Sequence, residues 1–190
     1  ATYIDYDVKI GEDSVIMPNT HILGNSEIGK NSIVGPNSII GSSKIGDNCN
    51  IVSSMLNDSI VRNNVNVGPF SNVRNNSYLG DDVCLGTSAE VNRSRLGKGT
   101  KTSHFSYIGD ALVGDNVNIG AGTVTCNYDG KNKNKTIIGD DAFIGSDTML
   151  IAPVKIGSRS STGAGSVVTH DIDDESLVVG VPAKSISKRT

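Results

Sequence analysis

A parallel β-solenoid with three-sided coils is the fold this sequence predicts, on three observations. Aliphatic side chains recur every six residues, a glycine often follows them, and Asp, Asn or Ser comes two or three positions later. Neither the 3.6-residue period of a helix nor the two-residue alternation of a plain strand gives that spacing. A short strand with one inward aliphatic does, if it is followed by a turn that needs small or left-handed-tolerant residues. Three such sides close a triangular coil of about 18 residues, and coils must stack because one alone cannot bury its own face.

Along the chain the first series is Ile10, Ile16, Ile22, Ile28, Val34 and Ile40. A slip of one residue carries the pattern from Ile40 to Ile45. The second series is Val61, Val67, Val73, Leu79, Leu85 and Val91, and a further slip separates Ile108 from Val113. The third is Ile138, Ile144, Leu150 and Ile156, which skips Thr162 and resumes at Val168. Glycine follows in Ile10-Gly11, Ile28-Gly29, Ile45-Gly46, Leu79-Gly80, Ile119-Gly120 and Ile138-Gly139. Two places break the rule. The inward aliphatic is missing at Thr102, and residues 125–136, almost wholly polar, are expected to protrude as a loop. The loop is either functional, since loops on a rigid scaffold carry sites, or a tolerated insertion. No linker divides the chain, so one β-helix domain is expected over 1–170. A tail, 171–190, leaves the repeat at Asp171 and closes the helix, with Gly180-Val181-Pro182-Ala183-Lys184 as a terminating turn.

Composition agrees with a narrow, repetitive interior. Aromatics are 4% of the 190 residues and Trp is absent, so Ile, Val and Leu must fill the core. A net charge of −3 with no basic stripe argues against nucleic acid and against an anionic membrane surface. Cys49, Cys84 and Cys126 are odd in number and lack paired spacing, which suits reduced thiols in a cytoplasmic protein better than disulfides or zinc. No leader and no apolar run of about 18 residues suggests export or a membrane span.

Of the three histidines, His104 lies beside the break at Thr102 and is a candidate for proton transfer, against the plainer reading of a surface histidine. His21 is expected to be structural and His170 solvated.

Four strings are more specific than the repeat: Gly97 to Tyr107, Asn118 to Thr123, Thr125 to Gly130, and Gly145-Ser146-Asp147-Thr148. Together, from about Thr2 to Thr169, the chain resembles the C-terminal acetyltransferase domain of the bacterial bifunctional enzymes that acetylate glucosamine-1-phosphate and then uridylylate the product. The resemblance weakens before Gly68. It implies a left-handed β-helix, a homotrimer with active sites between subunits, and acetyl-CoA as co-substrate along the groove between neighbouring helices. It implies no metal for the acetyl transfer. The N-terminal nucleotidyltransferase domain of those enzymes has no counterpart here, so uridylyl transfer is not expected of this chain.

Matched residue by residue, the resemblance implies His104 as general base, and Tyr107 and Asn118 as contacts to the sugar phosphate. Arg74 falls at an arginine that grips the phosphate end. Asn127 and Tyr128 fall in the loop near the reacting groups, with Lys133 suited to phosphate. Ala121, Ser146 and Ala164 fall at acetyl-CoA contacts. Departures occur at Asn92-Arg93, where two lysines are usual and the first meets the sugar phosphate. Asn75-Asn76 replaces a Pro-Gly, and Gly180 stands near the place of an arginine that contacts CoA. Lys184, Lys188 or Arg189 are expected to serve the CoA phosphates instead.

The chemistry suits these residue types. The 2-amino group of the sugar must lose a proton as it attacks the thioester, and a positioned base is typically worth about 10²–10⁴ in rate. The tetrahedral intermediate needs donors aimed at its oxygen, which Asn127, Ser146 or backbone amides could supply. The product would serve UDP-N-acetylglucosamine and cell-wall precursor synthesis. The alternatives are transfer to another amino-sugar phosphate and, more remotely, a γ-class carbonic anhydrase or a solenoid without catalysis.

Overall fold

The computed structural model describes residues 1–188, the side chain of Lys188 excepted, so Arg189 lies outside the described residues. Strands of two to five residues form three sheets that are the sides of a triangular prism. The first sheet has 10 strands from Tyr3–Ile4 to Val167–Val168, and the second has 9 from Lys9–Ile10 to Val154–Ile156. The third has 11, from Val15–Ile16 to Lys184–Lys188. Within each sheet neighbouring strands are one coil apart and pair in parallel, except the antiparallel pair Ser176–Val179 and Lys184–Lys188, giving the expected left-handed β-helix.

Register places like on like. Ile4 pairs with Ile22, Ile22 with Ile40 and Ile40 with Leu56, so each inward side chain sits on its equivalent. Ile22, Val34, Ile40, Leu56, Val73, Leu79, Leu96 and Ile144 are fully buried in one continuous cluster. The sequence slips are absorbed at the corners: Tyr3 pairs with His21, but Ile39 already pairs with Met55.

The corners explain the glycines and amides. A Cβ on Gly11 would come within 2.5 Å of the Gly29 carbonyl carbon, so the position after the inward aliphatic must be bare where coils touch. Asn and Asp fill left-handed corner positions such as Asn31, Asn48, Asn64 and Asp82, which their short polar side chains tolerate. Buried serines tie consecutive coils together. The Ser43 hydroxyl donates to the Gly41 carbonyl at 2.7 Å and accepts from the Ser59 amide at 3.1 Å.

The repeat does not end at Asp171 as expected. Ile172 bridges Ile156, and Ser176–Val179 pairs in parallel with Ser161–Thr162, because Ile172 and Val178 still fill inward positions. The chain reverses only after Val179, and Lys184–Lys188 returns antiparallel along Ser176–Val179. Among the described residues, no helix is long and apolar enough to cross a membrane.

Candidate active site

The edge between the third and first sheets collects five of the expected site residues. His104, Ala121, Ser146, Ala164 and Gly180 each stand two residues beyond an inward side chain of the third sheet: Thr102, Ile119, Ile144, Thr162 and Val178. Backbone bonds stack them. The Gly122 amide donates to the His104 carbonyl at 3.0 Å, Asp147 to Ala121 at 2.6 Å, and Gly165 to Ser146 at 2.8 Å. The Val167 amide donates to the Gly180 carbonyl at 3.0 Å. A Cβ on Gly120 would lie 2.5 Å from the Ser146 nitrogen, so the edge is a shallow track of backbone and small side chains with His104 at its foot.

Around His104 the edge is drawn out. Cys84–Thr87 and Lys101–His104 are each four residues long, and Thr87 pairs with His104. Gly86 is bare beneath the Ser103 backbone, which leaves no room for a side chain there. The His104 imidazole is exposed, and its ring lies 6.4 Å from that of Phe105. Phe105 is left-handed (φ 47°) and 68% exposed, an unusual conformation for a bulky residue. Phe70, two coils earlier at the equivalent corner, is likewise left-handed (φ 62°) and 70% exposed, whereas Asn37, Ser53, Ser88 and Gly122 take that corner elsewhere.

On the first-sheet face the Arg74 guanidinium donates to Glu90 Oε1 from Nε at 2.9 Å and from Nη2 at 2.7 Å. Above them the Tyr107 ring folds over Gly109, where a Cβ would sit 2.5 Å from the phenol oxygen. Tyr107 Oη accepts from Asn92 Nδ2 at 3.3 Å and, at 3.5 Å, from Asn127 Nδ2.

Behind Tyr107, at the edge between the first and second sheets, Arg93 clamps Asp110 with Nε to Oδ1 at 2.7 Å and Nη2 to Oδ2 at 2.9 Å. Asn127 Nδ2 donates to Asp110 Oδ2 as well. The Arg93 hydrogen bonds, above all, hold the Asp110 carboxyl below the usual carboxylate range, against the opposing effect of partial burial.

These contacts change two expectations. Asn92 and Asn127 are 3% and 5% exposed, and their amides are already committed inside the chain. The two Asn127 amide protons go to Asp110 and Tyr107, so its side chain is not the oxyanion donor. Asn92 Oδ1 accepts from Asn75 Nδ2 at 2.9 Å and from Arg93 Nη1 at 3.2 Å, so Asn92 supports Tyr107 rather than reaching a ligand. The Arg93 charge does stand beside Asn92, but Asp110 neutralises it.

The protruding loop is shorter than the expected 125–136, because Thr125 and Cys126 end the strand Val124–Cys126 and Thr136 opens the strand Thr136–Ile138. Residues 127–135 form a small hairpin with Tyr128 bridged antiparallel to Lys133. Asp129 organises it. Its Oδ1 accepts from the Lys131 and Asn132 amides at 2.8 and 2.7 Å, its Oδ2 from Asn134 Nδ2 at 2.9 Å. These donors, the Asn132 amide foremost, hold the Asp129 carboxyl at about 2. Tyr128 is exposed, with Lys133 Nζ 5.4 Å from its ring centre.

Asn118 points outward from the third sheet, in register with Lys101 and Phe143. It therefore lies on a different face from Arg74 and Tyr107, and the single chain does not bring them together. Among the described residues, no group of three or more His, Cys, Asp and Glu could hold a metal ion.

The chain is similar to known proteins along almost its whole length. The family model described as bacterial transferase hexapeptide (six repeats) matches residues 7–42 and 135–170. The bifunctional protein GlmU of Thermosipho africanus is 52% identical over 180 residues, which is 95% of this chain and 40% of that protein. The bifunctional protein GlmU of Thermotoga maritima is 50% identical over 94% of this chain and 40% of its own length. The chain thus spans about 40% of the length of these relatives. Among solved structures, the UDP-N-acetylglucosamine acyltransferase of Campylobacter jejuni shares the fold, with a TM-score of 0.62 at 18% identity over 98% of this chain and 73% of that one. A hexapeptide-repeat acetyltransferase of Vibrio cholerae, complexed with acetyl coenzyme A, gives 0.52 at 25% identity over 58% of this chain and 70% of that one. The repeat, the edge of small residues and this extended identity place the chain in the bacterial hexapeptide-repeat transferase family, where it corresponds to the C-terminal hexapeptide domain of the GlmU proteins.

Proposed function

We propose that this chain transfers the acetyl group of acetyl-CoA to the 2-amino group of glucosamine-1-phosphate. The observation that carries the proposal is the single edge on which His104 is followed upward by Ala121, Ser146 and Ala164. An extended thioester lying on that track would present its carbonyl at the foot, where the imidazole is exposed.

The sugar amine attacks the thioester carbonyl as His104 takes its proton. The C–N bond forms, the C–S bond breaks, and the thiolate of CoA leaves and is protonated. A histidine suits the task because its ordinary titration range lies nearest neutrality. Ser146 and the amides of the edge remain as donors for the tetrahedral oxygen. Arg74 Nη1, not engaged by Glu90, is free to grip the sugar's phosphate in this reading, with Lys133 as a second cation.

Asn118 and Tyr107 can flank one ligand only if neighbouring copies juxtapose the third-sheet face of one with the first-sheet face of another. That supports a homotrimer with sites between subunits, working in the cytoplasm on acetyl-CoA and an amino-sugar phosphate. The test is thiol release from acetyl-CoA with glucosamine-1-phosphate and with other amino-sugar phosphates as acceptors, for the wild type and His104→Ala. Release that depends on His104 and favours glucosamine-1-phosphate supports the proposal. Equal rates in both proteins overturn it.

A further inference from the structure

The two amides that meet Tyr107 have their orientations fixed from behind by charge. A carboxylate can only accept, so Asp110 must face the nitrogen of Asn127 and not its oxygen. A guanidinium can only donate, so Arg93 must face the oxygen of Asn92 and turn its nitrogen the other way. Both amides therefore present N–H groups to the Tyr107 oxygen, Asn92 at 3.3 Å and Asn127 at 3.5 Å. With its lone pairs turned to the protein, the phenol has only its proton left to give. The ring is held in place over Gly109, and Tyr107 is half-buried on the outer face.

We propose that the Arg93–Asp110 ion pair acts as a pair of positioning residues that make Tyr107 an obligate hydrogen-bond donor, selecting an acceptor substrate that presents an oxygen to it. Resting on the acetyl transfer proposed above, this assigns the recognised oxygen to a hydroxyl or phosphoryl group of the amino sugar. It also gives Asn92 a role, since a cationic side chain at that position would be repelled by Arg93 and could not accept from it.

The test compares steady-state kinetics of the wild type, Tyr107→Phe, Asp110→Asn and the double variant, with folding and oligomeric state checked for each. Tyr107→Phe should raise KM for glucosamine-1-phosphate about tenfold or more, as expected for a hydrogen bond to a charged or strongly polar group. KM for acetyl-CoA should hold. Asp110→Asn frees the Asn127 amide to rotate and should raise the same constant, and the double variant should be no worse than Tyr107→Phe alone. Losses that multiply in the double variant, or an equal rise in the acetyl-CoA KM, overturn the proposal. Should Asp110→Asn fail to fold, Asn92→Asp keeps a partner for Arg93 while replacing the N–H with an acceptor, and the same selective KM rise is required. If the wild type transfers nothing to glucosamine-1-phosphate, the proposed reaction fails instead. The ligand-free chain then decides: the side-chain amide resonances of Asn92 and Asn127 must both shift in Tyr107→Phe, and unmoved resonances overturn the inference.

Discussion

His104 and Ser146 occupy the same corner position two coils apart, each two residues past an inward side chain of the third sheet, Thr102 and Ile144. A base and a hydroxyl that are distant in sequence thereby share one straight edge. The rigidity of that edge comes from the stacked backbone bonds beneath it, so it is organised before any ligand binds.

His104→Ala should lower kcat by about 10²–10⁴, the usual contribution of a positioned base. The imidazole is exposed and outside the core cluster, so thermal unfolding should change little. Affinity for CoA, measured by calorimetry, should persist because the rest of the edge is intact.

Gly120→Ala would place a methyl group 2.5 Å from the Ser146 nitrogen, between two backbones that cannot give way separately. A destabilisation of about 1–3 kcal/mol is expected from the overpacking. Because the displaced backbone is that of the edge, KM for acetyl-CoA should rise in a variant that still folds.

Two inward threonines should respond in opposite directions to valine. The Thr102 hydroxyl is buried between Leu85 and Ile119 without a hydrogen-bond partner among the described residues. Thr102→Val should therefore stabilise the chain by about 1 kcal/mol, read as a higher Tm. The Thr162 hydroxyl accepts from the Gly145 amide at 2.9 Å and bonds the Thr148 hydroxyl at 3.0 Å. Thr162→Val removes both contacts but leaves the Gly145 amide its bond to the Thr162 carbonyl at 3.2 Å and the Thr148 hydroxyl its bond to the Gly145 carbonyl at 2.7 Å. It should therefore destabilise by about 0.5–1.5 kcal/mol.

The hairpin should be sensitive to acid. Asp129 has its carboxyl lowered from 3.8 to about 2, so its contribution to hairpin order is fully present above the unfolded value. That contribution is lost as the pH falls through the folded value. Limited cleavage by an acid-active protease should stay slow at the loop near pH 4 and accelerate towards pH 2. Asp129→Asn should show faster cleavage already at pH 4, and a loop equally protected in that variant would contradict the role given to the carboxylate.

Much of the site becomes a spacing rule once the edge is known. Ala121, Ser146 and Ala164 share with His104 the place two residues beyond the inward position, so their alignment is implicit in the repeat. The partners that govern Tyr107 follow no such rule. Arg93 and Asp110 lie on successive coils at the opposite edge, and their left-handed corners (φ 50° and 51°) turn the two side chains towards each other. Nothing local distinguishes them from the solvated charges that occupy other corners. Glu90 was hidden in the same way, as an ordinary outward residue until its pairing with Asn72 on the preceding coil set it beside Arg74.

The sequence by itself determined the wall. One inward aliphatic every six residues, a bare glycine after it and a short amide at the corner are local requirements, each written within a few residues. The loop was legible for the same reason, as a polar stretch with no inward aliphatic, although Thr125 itself fills an inward place, fully buried and paired with Leu150. Tertiary structure alone decided where the repeat stops, because Ile172 and Val178 are recognisable as inward residues only when stacked on Ile156 and Thr162. It also decided that Asn92 and Asn127 are buried against Tyr107 and hold it, while Asn118 lies on another side of the prism. Which side chains meet at a corner depends on the register of whole coils, and that register is the sum of every slip and insertion before it.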